Sequence, residues 1–225
     1  MEREIKKINS WNQSRALVSA MLFNLCIGSY YVYGNINDYI MEYLKAQGNN
    51  IQNVDGLIVQ TLWIVIQSMV SITSIHIAEV VGFRTLNWVA FLMFAGTHFL
   101  MAWITNFYVF VILYSFLAGV SIGLGYMLGF YIAWSYFPES KSIVSGIIFF
   151  MAGGSASILS PMTTWIVNPR TLEFTDPRVY NRVPFMFRCL GAYFLALTLI
   201  AGFLQPAPIL IEKSEKKEND KNNIS

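Results

Sequence analysis

Charge is what this sequence has least of. Only 12% of its 225 residues are Asp, Glu, Lys or Arg, about half the share usual in soluble domains. No charged residue occurs between Arg84 and Glu139, and none between Lys141 and Arg170. Stretches that long without charge exclude an ordinary soluble domain, whose surface would then be an aggregation patch. The net charge of +2 is too small to argue for nucleic acid. No Lys/Arg patch interleaved with stacking aromatics lies outside the apolar runs, so no nucleic-acid partner is expected. Cysteine is scarce too. Cys26 and Cys189 are far apart and each sits in an apolar segment, which excludes a disulfide framework or a metal spacing. They read as small buried hydrophobes. A Ser/His/Asp triad, a metal-ligand cluster and a phosphate-cradling loop are all missing. Gly119, Gly123 and Gly125 lie inside an apolar run rather than after a strand, which excludes a dinucleotide fingerprint. Neither an enzyme nor a cofactor is expected.

What the sequence has is apolar length. Hydrophobic residues make up 55% of it. About 20 apolar residues in helix cross a bilayer core, and six segments qualify: about Ala16 to Gly34, Gly56 to Ala78, Leu86 to Thr105, Phe107 to Phe137, Ile143 to Val167 and Pro184 to Gln205. The reading is an all-α membrane protein with a short N-terminal segment (1–15), a six-helix transmembrane domain (16–205) and a polar tail (206–225). The first span follows a charged lead, is long for a signal core and shows no small-residue cleavage motif, so it reads as an uncleaved anchor. The tail is charged, Asn-rich and without apolar periodicity, which predicts disorder; no seventh apolar span follows the sixth. Basic residues set the orientation. Arg3, Lys6, Lys7, Arg15, Arg84, Lys141, Lys213, Lys216, Lys217 and Lys221 fall on one side, and Lys45, Arg170, Arg178, Arg182 and Arg188 on the other. The larger group marks the cytoplasmic face and puts both termini there. Which membrane is meant is not readable.

Several helices carry patterned faces. Gln60, Trp63, Gln67, Ser71 and Ser74 fall on one face of the second helix. Such a face avoids lipid and meets either a neighbouring helix or a watery path. The fourth helix has two small-residue ladders, Ser115–Gly119–Gly123 and Ser121–Gly125–Gly129. The fifth has a stripe of Ser142, Gly146, Gly153, Ser157, Ser160 and Thr164, with Pro161 inside it. Close packing and sliding contacts are both served by such faces. Tyr30, Tyr31 and Tyr33 end the first span, as an interfacial belt or as hydroxyls on a substrate path. His98 lies mid-span without an acidic partner in the spans, so a neutral, hydrogen-bonded ring is favoured over a proton relay. Glu79 and Arg84 flank the second-to-third connection, and Glu139 and Lys141 the fourth-to-fifth. They read as surface charge or as a gating network. The loop from Asn168 to Val183 holds three arginines, as an anion attractor or a solvated turn.

Six spans with a short second-to-third loop resemble the N-terminal half of a major facilitator superfamily transporter. That loop commonly reads Gly-x-x-x-Asp-Arg-x-Gly-x-Arg. Here Glu79, Gly82 and Arg84 match its acid, glycine and last basic residue, while Ile75 and Val80 depart from it. Gly28-Ser29-Tyr30-Tyr31-Val32-Tyr33-Gly34 resembles the first-helix pattern of the oxalate/formate antiporter and monocarboxylate transporter families. Gly123-Leu124-Gly125-Tyr126, Trp134-Ser135-Tyr136-Phe137-Pro138-Glu139 and Ser145-Gly146 resemble the fourth helix, loop and fifth helix of those families. The resemblance covers about Trp11 to Gln205. It implies half of a major facilitator fold, made of two inverted three-helix repeats. It also implies small organic anions such as monocarboxylates as substrates, carried by alternating access. Tyr31, Gln60, Gln67 and Tyr126 are then the substrate-binding candidates. Glu79, Gly82, Arg84, Glu139 and Lys141 are the candidates for gating at the cytoplasmic loops. In those families key anion-binding basic residues lie in the second half, which this chain does not carry. The implied partners are the lipid bilayer, a small carboxylate substrate and a second transporter half, supplied by another copy or another chain. A non-transporting accessory subunit and a truncated fragment of a twelve-helix carrier stand as alternatives.

Overall fold

A computed structural model describes residues 9–209, and among these every regular element is helical. The helices are α1 (Ser10–Ile27), α2 (Ser29–Ala46), α3 (Leu57–Val81), α4 (Phe83–Met101), α5 (Phe107–Tyr136), α6 (Lys141–Val167), α7 (Pro177–Tyr180) and α8 (Val183–Leu204), with a 3-10 turn at Asn53–Gly56 before α3. Residues 1–8 and 210–225, which hold most of the two terminal segments named above, lie outside the described residues.

The apolar runs become helices close to their expected places, with two corrections. The first span does not end near Gly34. Together α1 and α2 make one rod of 37 residues, Ser10–Ala46. Polar residues that looked like a loop stay helical because the turn before α3 satisfies them. Asn37 Nδ2 donates to the Asn53 carbonyl at 2.9 Å, the Tyr33 hydroxyl to the Gly56 carbonyl at 3.1 Å, and Lys45 Nζ to Asn53 Oδ1. The rod breaks only at Gly28. A Cβ there would sit 1.6 Å from Ser155 Oγ and 2.2 Å from the Ala152 carbonyl, so the glycine is what lets this rod touch α6.

The second correction concerns α4. Five of the six long helical stretches are apolar and long enough to cross a bilayer, and α4 is not among them. Its polar residues Asn87, Thr97 and His98 lower its hydropathy, yet all three are buried. α4 packs against α5 and α8, so these side chains face protein rather than lipid, and Thr97 and His98 find hydrogen-bond partners.

The packing is paired. α3 lies along α5, and the α1–α2 rod lies along α6. α1 also meets α5, while α4 and α8 pack together. The shared core is aromatic: Phe23, Tyr33, Trp63, Phe91, Phe94, Phe110, Tyr114, Phe187 and Phe194 are all fully buried. By contrast Met69, Ile72 and Val80 of α3 and Phe149, Phe150 and Trp165 of α6 point outward, as side chains do when lipid is the solvent. After α8 the chain folds back on the end of α5. The Tyr136 hydroxyl donates to the Ala207 carbonyl at 2.7 Å and the Ile209 N–H to Ser135 Oγ at 3.1 Å.

Candidate functional site

The polar face of α3 divides into two environments. Toward α5 it is sealed by small residues. A Cβ on Gly119 would lie 2.9 Å from Ile66 and 3.0 Å from the Trp63 carbonyl; one on Gly123 would lie 2.8 Å from Val70 and 2.9 Å from the Gln67 carbonyl. The serines close the same contact. Ser115 Oγ donates to the Val59 carbonyl at 3.0 Å, and Ser71 Oγ to the Gln67 and Gly123 carbonyls at 2.8 and 3.3 Å. The first ladder of α5 is therefore a close helix–helix contact with α3. In the second ladder Gly125 makes room for Phe91 of α4, and Gly129 faces Ala20 and Asn24 of α1.

Trp63 leaves the polar face altogether. It is fully buried, edge-on to Tyr30 and Tyr114 with ring centroids 5.7 and 5.6 Å apart. His98 belongs to the same core. Its Nδ1 lies 3.0 Å from the Phe94 carbonyl and its Nε2 3.1 Å from the Tyr114 hydroxyl. A carbonyl only accepts, so Nδ1 carries the proton and Nε2 accepts from Tyr114. The rings of Phe94, Tyr114, Phe187 and Phe194 enclose it.

The remaining candidates stay reachable. Gln60 is half-buried, and its Nε2 donates to the Tyr30 carbonyl at 3.2 Å, which fixes α3 against the turn that carries Tyr31. Tyr31 is 60% exposed and sits edge-on to Tyr30 at 5.6 Å. Tyr126 is half-buried on Phe130 at 5.7 Å. Gln67 stands two turns from Gln60 on the same face, about 10 Å along the axis. It is half-buried, and its amide makes no hydrogen bond within the described residues. The structure thus ties Gln60 to the turn that carries Tyr31, sets Tyr126 against Phe130 of its own helix and leaves Gln67 farther along α3. The three tyrosines lie mid-rod rather than at a helix end: Tyr33 is core, Tyr30 packs on Trp63, and only Tyr31 is exposed. These groups are neutral donors and acceptors, and among the described residues no Asp, Glu, Lys or Arg is buried.

At the loops, Gly82 connects α3 directly to α4 at φ +99°, a conformation open to glycine and strained for other residues. Glu79 lies 3.8 Å from His76 on the exposed end of α3. Glu139 and Lys141 are exposed at the α5–α6 turn. Among the described residues Glu79, Arg84, Glu139 and Lys141 form no ion pair with one another. Across the same turn Trp134 Nε1 donates to Ser145 Oγ at 2.8 Å, so two residues of the sequence pattern meet. Arg84 instead reaches α8, donating to the Gly202 carbonyl at 3.5 Å, and Arg15 donates to the neighbouring Phe203 carbonyl at 3.2 Å. α8 has no basic residue in its last turn; two distant guanidiniums complement the negative end of its dipole. Nothing local in the sequence signals this convergence.

These features define a multi-pass, all-helical membrane protein. Comparison with known proteins adds one relative. No protein-family model and no solved structure matches the chain. Among curated proteins it is similar to apicoplast pyruvate carrier 1 of Toxoplasma gondii, at 20% identity over 92% of this chain and 48% of that protein. The chain spans about half the length of that relative.

Proposed function

We propose that this chain is a six-helix carrier half that moves small organic anions such as pyruvate by alternating access, with Tyr31, Gln60, Gln67 and Tyr126 lining the route. The observation that carries the reading is the likeness to a pyruvate carrier along nearly the whole chain. The helix pairing supports a major facilitator half: α3 on α5 is matched by the α1–α2 rod on α6, and α4 on α5 by α8 on α1, as two inverted three-helix repeats would produce. Neutral hydroxyls and amides suit a carboxylate only part-way. A carboxylate far from water needs a cation, and the route residues supply none. The cation therefore comes from outside these four residues, either from another chain docked as the second half or, in a pair of copies, from elsewhere on the chain, and both ends of this unit face the cytoplasm. The role involves no bond-making chemistry. Glu79, Gly82, Arg84, Glu139 and Lys141 would then move with the cytoplasmic gate.

The half-length match favours one other reading, in which the chain is an accessory subunit or a fragment of a twelve-helix carrier. Proteoliposomes holding only this chain, given labelled pyruvate, lactate, formate and oxalate, separate the two. Saturable uptake by a crosslinkable dimer, abolished in Gln67→Ala, is expected. A monomer without uptake of any of the four sinks the carrier reading.

A further inference from the structure

The loop between α6 and α8 folds around a cavity of about 250 Å3 on the face of the molecule opposite the Gly82 turn. Its lining includes Val167 and Val179, both fully buried, and three arginines on exposed positions, Arg170, Arg178 and Arg182. The loop is held in shape from within. Asn168 accepts from the Leu172 N–H at 2.8 Å and donates to the Leu172 carbonyl at 2.7 Å, and Phe174 packs edge-on to Tyr39 of α2 at 4.9 Å.

The three cations are not equivalent. Arg178 is engaged by Asp176 through two bonds of 2.7 and 3.1 Å, and those bonds hold the Asp176 carboxyl down to about 2. Arg182 donates to the Ile166 carbonyl at 3.3 Å, which orients it without neutralising it. Arg170 and Arg182 form no ion pair among the described residues, and Glu173, the loop's other acid, does not line the cavity. Two unneutralised guanidiniums on exposed residues at the rim of one solvent-open concavity form a site for an oxyanion, because bonds from a charged donor to an oxyanion are stronger than neutral ones.

We propose that this cavity binds a carboxylate or phosphate oxyanion through Arg170 and Arg182, with Asp176 acting as an internal competitor that holds Arg178 back. A free organic anion and the phosphate of an anionic lipid share that chemistry. None of Tyr31, Gln60, Gln67 and Tyr126 lines this cavity, and the site stands whether or not the chain transports.

The test is direct binding to the full chain in phosphatidylcholine nanodiscs, with labelled pyruvate and inorganic phosphate as probes, repeated with phosphatidylglycerol in the disc. Saturable, salt-sensitive binding is expected. Arg170→Gln with Arg182→Gln weakens it about tenfold or more, and Asp176→Asn, which keeps the cap on α7 but frees Arg178, tightens it several-fold. Competition by phosphatidylglycerol, lost in the double arginine variant, assigns the site to a lipid headgroup; binding indifferent to that lipid assigns it to a soluble anion. Absence of binding by both probes in phosphatidylcholine discs overturns the proposal. So does binding unchanged in the double variant, or weakened by Asp176→Asn.

Discussion

α5 and α6 are both rich in glycine and serine, and they use those residues in opposite ways. In α5, 56% of the most apolar stretch is buried; in α6 only 28% is. Gly119, Gly123 and Gly125 of α5 are pressed against Ile66, Val70 and Phe91, whereas Gly146, Gly153 and Gly154 of α6 have nothing within 4 Å of where a Cβ would stand. Small residues let backbones approach, but spacing alone does not say whether a neighbour has taken the space. In α5 the glycines are spent on α3 and α4. In α6 they leave a smooth face that nothing in the described chain fills, which is what a second transporter half or a substrate route would occupy under the proposed function.

Substitutions can break or sharpen that contrast. The largest effects are expected where a new side chain meets backbone. Gly28→Ala would put its methyl carbon 2.2 Å from the Ala152 carbonyl, and Gly123→Val would press into Val70 and the Gln67 carbonyl. Each should cost about 3 kcal/mol or more, read as a large fall in the thermal midpoint of the detergent-purified protein or as failure to accumulate. A midpoint unchanged in Gly123→Val would dissolve the distinction between the two helices.

Next in size is the buried polar contact beside the α3–α5 seam. Tyr114→Phe removes the donor to His98 Nε2 and leaves that nitrogen unpaired in an aromatic box, a loss of about 1–2 kcal/mol. Thermal unfolding should detect it. Uptake at a temperature where the variant is folded should be unaffected, since His98 is read as a structural group; lost proton coupling would revive the relay.

In α6 the sign reverses. Gly153→Ala should stabilise by about 0.5–1 kcal/mol, because alanine is the better helix former and no neighbour is displaced. The bulkier Gly153→Leu should leave the midpoint nearly unchanged yet lower uptake several-fold if the open face is used. A marked drop in stability there would mean that the face is already packed.

The smallest effect is one of pH. Asp176 is held down to about 2, below the ordinary carboxylate value of 3.8, by its bonds to Arg178. Its pairing with Arg178 is therefore complete above the unfolded value and is lost as pH falls through the folded one. Between pH 5 and 8 this exposed pair should add no slope to the thermal midpoint, which a titration of unfolding temperature would check.

Much of the fold was legible because lipid imposes length and apolarity on the chain. The runs over α3, α5, α6 and α8 announce themselves. The extension of α2 to Ala46 was not legible, because Asn35, Asp38 and Glu42 look like a loop until the turn at Asn53 is seen supplying partners for their neighbours. Nor was the shortfall of α4, whose His98 is tolerable because Tyr114 of α5 and Phe187 and Phe194 of α8 enclose it. At the candidate site, the periodic face of α3 was readable. The departure of Trp63 into the core was not, since its burial depends on Tyr30 and Tyr114 from other helices. The meeting of Arg15 and Arg84 at the end of α8 joins residues 188 and 118 positions apart, a separation that no local pattern encodes.

The most direct test of the transport account is water access to the route it names. In a chain whose Cys26 and Cys189 are replaced by serine, Gln67→Cys, Tyr31→Cys and the lipid-facing Met69→Cys would each be exposed to a membrane-impermeant maleimide, with and without pyruvate. The account predicts labelling at 67 and 31 that pyruvate slows, and little labelling at 69. Position 67 closed to the reagent, or labelled at a rate indifferent to pyruvate, would contradict it.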